Sequence, residues 1–284
     1  MTRVPRRWRV AAIQMTSTDD RAANLRAAED LVAASAESGA SLVALPENFS
    51  FLRHEGQRPP VAETLDGELI EWTAALARRH GVWILAGSIP EKIPRSRKIY
   101  NTCALVDRDG AVVAAYRKMH LFDVRMPGKA VFEESKVVEA GDRPVIAETP
   151  LGRLGLSICY DLRFPELYRR LALDGAQIVF VPSAFTDYTG RQHWMTLIRA
   201  RAIENQCWLV APAQTGRHNP RRQSHGHTAI VDPWGVVVAM LDRRPGFVTA
   251  EIDLDLIDRV RSGMPCLDHV RPELCGRRAR GTGS

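Results

Sequence analysis

The sequence predicts an α/β fold in which mixed sheets are layered with helices, and three observations carry that prediction. Strand-like and helix-like patterns alternate along most of the chain. Two turn sequences, Asp109-Gly110 and Asp232-Pro233-Trp234-Gly235, sit between apolar runs and read as hairpins, so the sheets are mixed rather than purely parallel. The stretch 151–175 reads as strand, cysteine, tight connection and helix. In it Leu154, Leu156 and Ile158 alternate with small or polar residues, and Cys159 stands where the strand stops. Pro165 suits a first helical turn, and Gly175 is placed to end the helix. A thiol at that corner lies near a helix N-terminus, whose partial positive charge favours thiolate.

In chain order, residues 9–15 form the first strand. Thr18 and Asp19 are placed to cap the next helix, whose buried stripe is Leu25, Ala28, Leu31, Val32 and Ala36. Residues 41–45 are a short apolar strand, and Glu47 lies just past its end, the edge where parallel sheets build sites. The segment 50–64, with Pro59-Pro60, reads as irregular. A helix over 67–80 buries Leu69, Trp72 and Leu76 and stops at Gly81; strands at 82–87, 100–106 and 111–116 follow. From Arg117 to Asp142 the chain is charged and without period, and so long a loop inside a domain is usually functional. After the cysteine segment come a strand at 178–181 and a helix at 192–206 with Trp194, Leu197, Ile198 and Ala202 on one face. Strands at 208–212, 224–231 and 236–241 and a helix at 253–261 complete the pattern. With no linker, repeat or low-complexity segment, residues 1–284 read as one domain, and 265–284 as its extended C-terminal tail.

The 284 residues carry a net charge of +6 and five cysteines, Cys103, Cys159, Cys207, Cys266 and Cys275. No apolar run reaches bilayer-spanning length. The basic N-terminus leads straight into a strand without the apolar core of a secretory signal. An odd number of widely spaced cysteines is neither a disulfide framework nor a zinc set, which points to reduced thiols in the cytoplasm. Basic clusters at 3–9, 217–222 and 277–280 lack interleaved aromatics apart from Trp8, which argues against a nucleic-acid surface. They suit solvated loops and the attraction of an anionic substrate.

Three chemical types stand next to strand ends: Glu47, Lys118 and Cys159. A carboxylate can take a thiol proton and later activate water; a lysine can stabilise a developing oxyanion; the backbone N–H of Tyr160 can complete the oxyanion site. Together they suit amide hydrolysis through a thioester. Each also has an ordinary alternative: a surface carboxylate, a solvated lysine, a small buried hydrophobe. Spacing alone does not bring the three together. Gly-Leu-Ser-Ile-Cys is a false match to the serine nucleophile elbow, because Ser157 falls inside the strand. His225 and His227 would face the same way on a strand, but a third metal ligand is not evident, so a structural role is favoured. His120 and His193 are better placed to line a pocket.

The segments LPENF (45–49), YRKMHLFD (116–123) and GLSICYDLRFPELYR (155–169) resemble the three motifs of the nitrilase, or carbon–nitrogen hydrolase, superfamily. The resemblance continues through PSAF (182–185), HWMTLIRARAIENQCWLVAPAQTGRH (193–218) and GHTAIVDPWGVVVA (226–239). It implies a four-layer α/β/β/α sandwich, assembled as homodimers or larger homo-oligomers across helical faces, with no metal and no organic cofactor. It implies Glu47 as general base, Lys118 as the lysine of the triad and Cys159 as nucleophile. A second glutamate, Glu134 or its neighbour Glu133, would hold Lys118. Within the superfamily the chain is similar to the Nit branch, which implies hydrolysis of a small anionic α-keto amide. Two substrates compete, the α-keto form of glutathione and α-ketoglutaramate. QCWLVAPAQTGRH and SHGHTAIVDPWG favour the first, with the Ala-Gln-x-Gly-Arg-His run placed to reach a substrate tail; HLFDVRMPGK and FEESK favour the second. An N-carbamoyl amino-acid hydrolase of the same superfamily is a further alternative. Arg163 either binds an anionic substrate group or pairs with Asp161 or Glu166, and Phe185, Thr186 and His193 border the pocket.

Overall fold

The computed structural model describes residues 6–54, 57, 59, 61–125 and 131–271. In chain order the elements are β1 (Arg7–Met15), α1 (Arg21–Glu37), β2 (Leu42–Ala44), α2 (Glu68–His80), β3 (Trp83–Lys92), β4 (Ile99–Val106) and β5 (Val112–Arg117). Then come β6 (Asp123–Arg125), β7 (Val131–Glu133), β8 (Val145–Thr149), β9 (Gly152–Leu156), α3 (Pro165–Leu173), β10 (Ile178–Phe180), α4 (Asp187–Asn205) and β11 (Trp208–Ala211). The last are β12 (Ala213–Asn219), β13 (Arg222–His225), β14 (Ala229–Val231), β15 (Val237–Met240), β16 (Gly246–Asp253) and α5 (Leu254–Gly263).

Two large mixed sheets carry the fold. One runs β13-β12-β1-β2-β3-β4-β5, with β16 also pairing β1; the other runs β15-β14-β11-β10-β9-β8. The alternation of β1 shows how they are layered. Ala11, Ile13 and Met15 face Ala28 and Val32 of α1 and the apolar side of α2. Val10 and Ala12 face the other way, into a core shared with Leu154, Leu156, Ile178 and Phe180 of the second sheet. That core continues to Leu167 and Leu171 of α3 and Trp194 and Ile198 of α4. The order is therefore helices, sheet, sheet, helices.

Several boundaries differ from the sequence reading, for identifiable reasons. The cap of α1 is Asp20, whose carboxylate accepts from the Ala23 amide, while Thr18 instead exchanges hydrogen bonds with the side chain of Asn24. Helix α4 begins five residues early, at Asp187. Gly190 permits this, since a Cβ there would meet the Cβ of His225 at 2.4 Å. Strands β8, β12 and β16 lack the expected apolar alternation. β16 is mostly half-exposed and held by its ladder to β1, and β12 is buried through polar side chains. The segment 117–142 contains the small hairpin β6-β7 and a 3-10 turn at Glu134–Lys136. The start of the tail is turned, not extended: amides of Asp268, His269 and Val270 donate to carbonyls of Pro265, Cys266 and Leu267. Residues 272–284 lie outside the described residues.

Candidate active site

Glu47 follows β2 at the carboxyl end of the first sheet and is 3% exposed. Its Oε1 accepts from Lys118 Nζ at 2.9 Å and from Asn101 Nδ2 at 3.0 Å, and its Oε2 from the Ala184 amide at 2.8 Å. Lys118 directly follows β5 and is 2% exposed; its amide donates to the Asn101 carbonyl. The same ammonium donates to Glu134 Oε2 at 2.9 Å and Oε1 at 3.2 Å. Glu134 is fixed in turn by the Phe122 amide at 2.7 Å. Glu133 points elsewhere, to Lys136 and Arg125, so Glu134 is the residue that holds Lys118.

Cys159 stands beyond β9, with its amide donating to the Pro182 carbonyl and its φ at 47°, a left-handed conformation that a non-glycine residue adopts at a cost. Asp161, fully buried, pins this corner. Its Oδ2 accepts from the Ile158 amide and Tyr116 hydroxyl, both at 2.8 Å, and its Oδ1 from the His120 amide at 3.1 Å, with His120 Nδ1 at 2.7 Å. One carboxylate thus ties the lysine segment to the cysteine segment.

Burial, then the charge of Glu47 and a hydrogen bond to it, push the Cys159 thiol up; Lys118 and the Ala184 backbone oppose this. The balance of these influences runs against the thiolate that a helix N-terminus would favour. The geometry explains the difference. Cys159–Arg163 is a 3-10 turn, and α3 starts only at Pro165, so the macrodipole of α3 begins a full turn beyond the sulfur. For Lys118 burial favours the neutral amine, but Glu134 and Glu47 outweigh it and hold the ammonium charged. For Glu134 burial pushes the carboxyl up, and Lys118 with the Phe122 amide more than offsets it. A neutral thiol beside a carboxylate acceptor, with a fixed cation adjacent, can lose its proton as it attacks a carbonyl carbon.

These groups line a cleft with about 800 Å³ of empty space. Tyr160, Arg163, Phe185 and Thr186 line it too, as expected, and Phe51, Phe122, Phe132 and Ile99 supply apolar wall. His193 is exposed and stands outside, 3.1 Å from an Arg163 guanidinium nitrogen. Arg163 pairs with neither Asp161, which is occupied as above, nor Glu166; it lies 4.9 Å over the Phe185 ring. His120 stacks on Phe164 and is not at the pocket wall. His225 and His227 stack on each other, and positive φ at Gly226 and His227 breaks the strand that would have aligned them. Among the described residues no group of three or more His, Cys, Asp or Glu side chains is placed to hold a metal ion. The Ala-Gln-x-Gly-Arg-His run does not reach the cleft through its glutamine or histidine. Gln214 is buried against Ser17 and the Glu47 carbonyl, and His218 between the Ser17 carbonyl and Ser224. Asn101 and Asp161 were not anticipated as site residues.

The model of the family described as carbon–nitrogen hydrolase matches residues 9–262. The chain belongs to the carbon–nitrogen hydrolase family. It is 47% identical over 262 residues to a deaminated glutathione amidase of Synechocystis sp., covering 91% of this hydrolase and 96% of that protein. The Caenorhabditis elegans NitFhit structure superposes with a TM-score of 0.88 at 45% identity; the match covers 94% of this chain and 66% of that longer one. Saccharomyces cerevisiae Nit3 gives a TM-score of 0.83 at 31% identity, covering 91% of this chain and 94% of that one. As a member of the family this protein is a hydrolase of carbon–nitrogen bonds. Among the described residues no helix is long and apolar enough to cross a membrane.

Proposed function

We propose that this carbon–nitrogen hydrolase is a cysteine-dependent amidase that cleaves deaminated glutathione, the α-keto form of glutathione, through a thioester on Cys159. The observation that carries the chemistry is the buried Cys159 thiol set against Glu47, whose two carboxylate oxygens are oriented by Lys118, Asn101 and the Ala184 amide. Glu47 accepts the thiol proton while the sulfur attacks the amide carbonyl. Lys118 and the Tyr160 backbone N–H hold the oxyanion. The amine leaves with the proton from Glu47, giving the thioester. Glu47 then takes a proton from water, which attacks the thioester, and returns it to the departing sulfur.

The choice of substrate is supported by the 47% identity to the Synechocystis amidase. A side-by-side measurement with deaminated glutathione and α-ketoglutaramate is expected to give at least about a tenfold higher kcat/KM for the first, a transition-state preference of about 1.4 kcal/mol. The reverse ratio would make the protein an ω-amidase, and release of carbon dioxide with ammonia from N-carbamoyl amino acids would identify the third class. Arg163 binds the carboxylate of the α-keto acid in this reading. Arg163→Lys keeps the charge but loses the planar fork, and KM is expected to rise about tenfold. An unchanged KM would assign Arg163 a structural role.

The same reading places the protein in the cytoplasm, supported by free Cys103, Cys159, Cys207 and Cys266. It also pairs copies through the outer helices, where Leu173, Tyr188 and Ile203 are each about half exposed. A solution mass of one chain would contradict the pairing.

A further inference from the structure

Lys118 has more acceptors to serve in the proposed reaction than it has hydrogens. An ammonium offers three N–H donors and no acceptor. In the resting site all three are directed at carboxylates: Glu47 Oε1 at 2.9 Å, Glu134 Oε2 at 2.9 Å and Glu134 Oε1 at 3.2 Å. The oxyanion that forms at the substrate carbonyl takes a hydrogen from the same nitrogen, so one of these bonds has to be released as the negative charge develops.

The distances single out which one. The contact with Glu134 Oε1 is the longest of the three, and its release leaves Lys118 still bound to both carboxylates. Glu134 Oε2 also accepts from the Phe122 amide at 2.7 Å, which holds the carboxylate in place when Oε1 is let go. Oε1 itself then lacks that donor, in a buried site where an unpaired carboxylate oxygen is costly. Asn101 supplies another. Its Nδ2 stands 3.3 Å from Glu134 Oε1 and 3.0 Å from Glu47 Oε1, with one amino hydrogen for each. Both neighbours are acceptors, which turns the nitrogen and not the oxygen of the side-chain amide toward them. The side chain is also well fixed. Asn101 belongs to β4, stands opposite Pro90 of β3, and its carbonyl accepts from the Lys118 amide at 2.9 Å. It is buried and lines the cleft beside Lys118.

We infer that Asn101 is a positioning residue that takes over Glu134 Oε1 when Lys118 turns its third hydrogen to the oxyanion. This rests on the proposed amidase reading and deepens it. No proton changes owner in the exchange: one N–H···O bond of Lys118 is replaced by another, and the 3.3 Å contact of Asn101 tightens. The exchange occurs in acylation and again in deacylation, because each passes through an oxyanion on the same donors. An interaction gained only there lowers kcat and kcat/KM together when it is lost, and leaves KM alone.

The test compares full-length wild type and Asn101→Leu on deaminated glutathione. Leucine is close to asparagine in size and donates nothing, while each carboxylate keeps its bond to Lys118, so the variant is expected to fold; circular dichroism and the melting temperature check this. Its kcat is expected to fall about tenfold to a hundredfold, with KM within about twofold of wild type. Asn101→Ser keeps one shorter donor for two acceptors and is expected to lie between the two, at least about fivefold below wild type in kcat; it carries the test should the leucine variant not fold. A second probe, methyl methanethiosulfonate, separates this role from the bond to Glu47. Its methylthio group is transferred to the Cys159 sulfur, methanesulfinate leaves and Glu47 takes the thiol proton, with no tetrahedral oxyanion on the path. Labelling of Cys159, followed by the mass of its peptide, is expected to stay within about threefold of the wild-type rate in Asn101→Leu. Labelling slowed as much as kcat would mean that Asn101 acts through Glu47. A raised KM with unchanged kcat would make it a substrate contact, and a kcat within twofold of wild type in a folded variant would leave it no part in the reaction. Each of these overturns the exchange while the amidase reading stands. If the wild type does not hydrolyse deaminated glutathione, the amidase reading itself fails.

Discussion

Cys159→Ala is expected to lower kcat on deaminated glutathione by roughly 10⁴-fold or more, to the background of the assay, because the thioester cannot form. The fold should survive. The side chain is small, and removing one sulfur from a site 8% exposed is expected to cost no more than about 1–2 kcal/mol. Cys159→Ser should be nearly as inactive, since an alcohol is far harder to ionise than a thiol. The backbone adds a second readout. With φ at 47° the residue occupies a region that glycine enters without strain, so Cys159→Gly should be at least as stable as Cys159→Ala. A stable, inactive glycine variant would mean that the corner holds strain for the sake of the thiol. Turnover by any of these variants at more than a hundredth of the wild-type rate would remove Cys159 from the mechanism.

Lys118→Met is expected to combine inactivity with a large loss of stability. The ammonium sits between two carboxylates that are themselves buried, and removing it leaves Glu47 and Glu134 facing each other through Asn101. Breaking such a buried arrangement by deleting one partner costs about 3–5 kcal/mol. The loss depends on pH, and its sign follows from Glu134. In the wild type the carboxyl is held below its ordinary value, so its stabilisation is complete above the unfolded pKa of about 4.3 and is lost as pH falls through the folded value. In the variant burial acts without Lys118, the carboxyl is raised, and protonation relieves the strain. Urea unfolding should therefore show a wide gap between wild type and variant at pH 7 and a narrower one at pH 5. A gap of under 1 kcal/mol at pH 7, or one that widens toward acid, would contradict the description of the lysine as the shared counter-ion.

How much of this was legible in the sequence depends on whether a residue acts through type and position or through its partners. Glu47, Lys118 and Cys159 each follow a strand end, and that local pattern is readable. Their convergence is not, because they are separated by 71 and 41 positions and meet only when two sheets stack; the motif resemblance brought them together. Asn101 and Asp161 were missed because their work is done by hydrogen bonds to distant segments. Nothing in the local string distinguishes Asp161 as the carboxylate that receives Tyr116 and His120. β16 was missed because its support comes from an eight-residue ladder with β1, not from an apolar face. The helix start expected next to Cys159 lies further on, at Pro165, because a 3-10 turn and an α-helix start look alike in sequence, while only the second carries a macrodipole. His193 was misplaced for a similar reason: one turn of α4 decides whether a side chain faces the cleft or the solvent.

The central claim is that amide cleavage passes through an acyl group on Cys159, and partitioning with hydroxylamine tests it most directly. Deaminated glutathione and α-ketoglutaramate share one acyl group and differ in the amine that leaves. If the amine departs before water or hydroxylamine attacks, both substrates generate the same thioester, however different their rates. At a fixed hydroxylamine concentration the ratio of hydroxamate to free acid is then predicted to be identical for the two. A ratio that changes with the leaving amine, in an enzyme that consumes both, would show that no common thioester lies on the path.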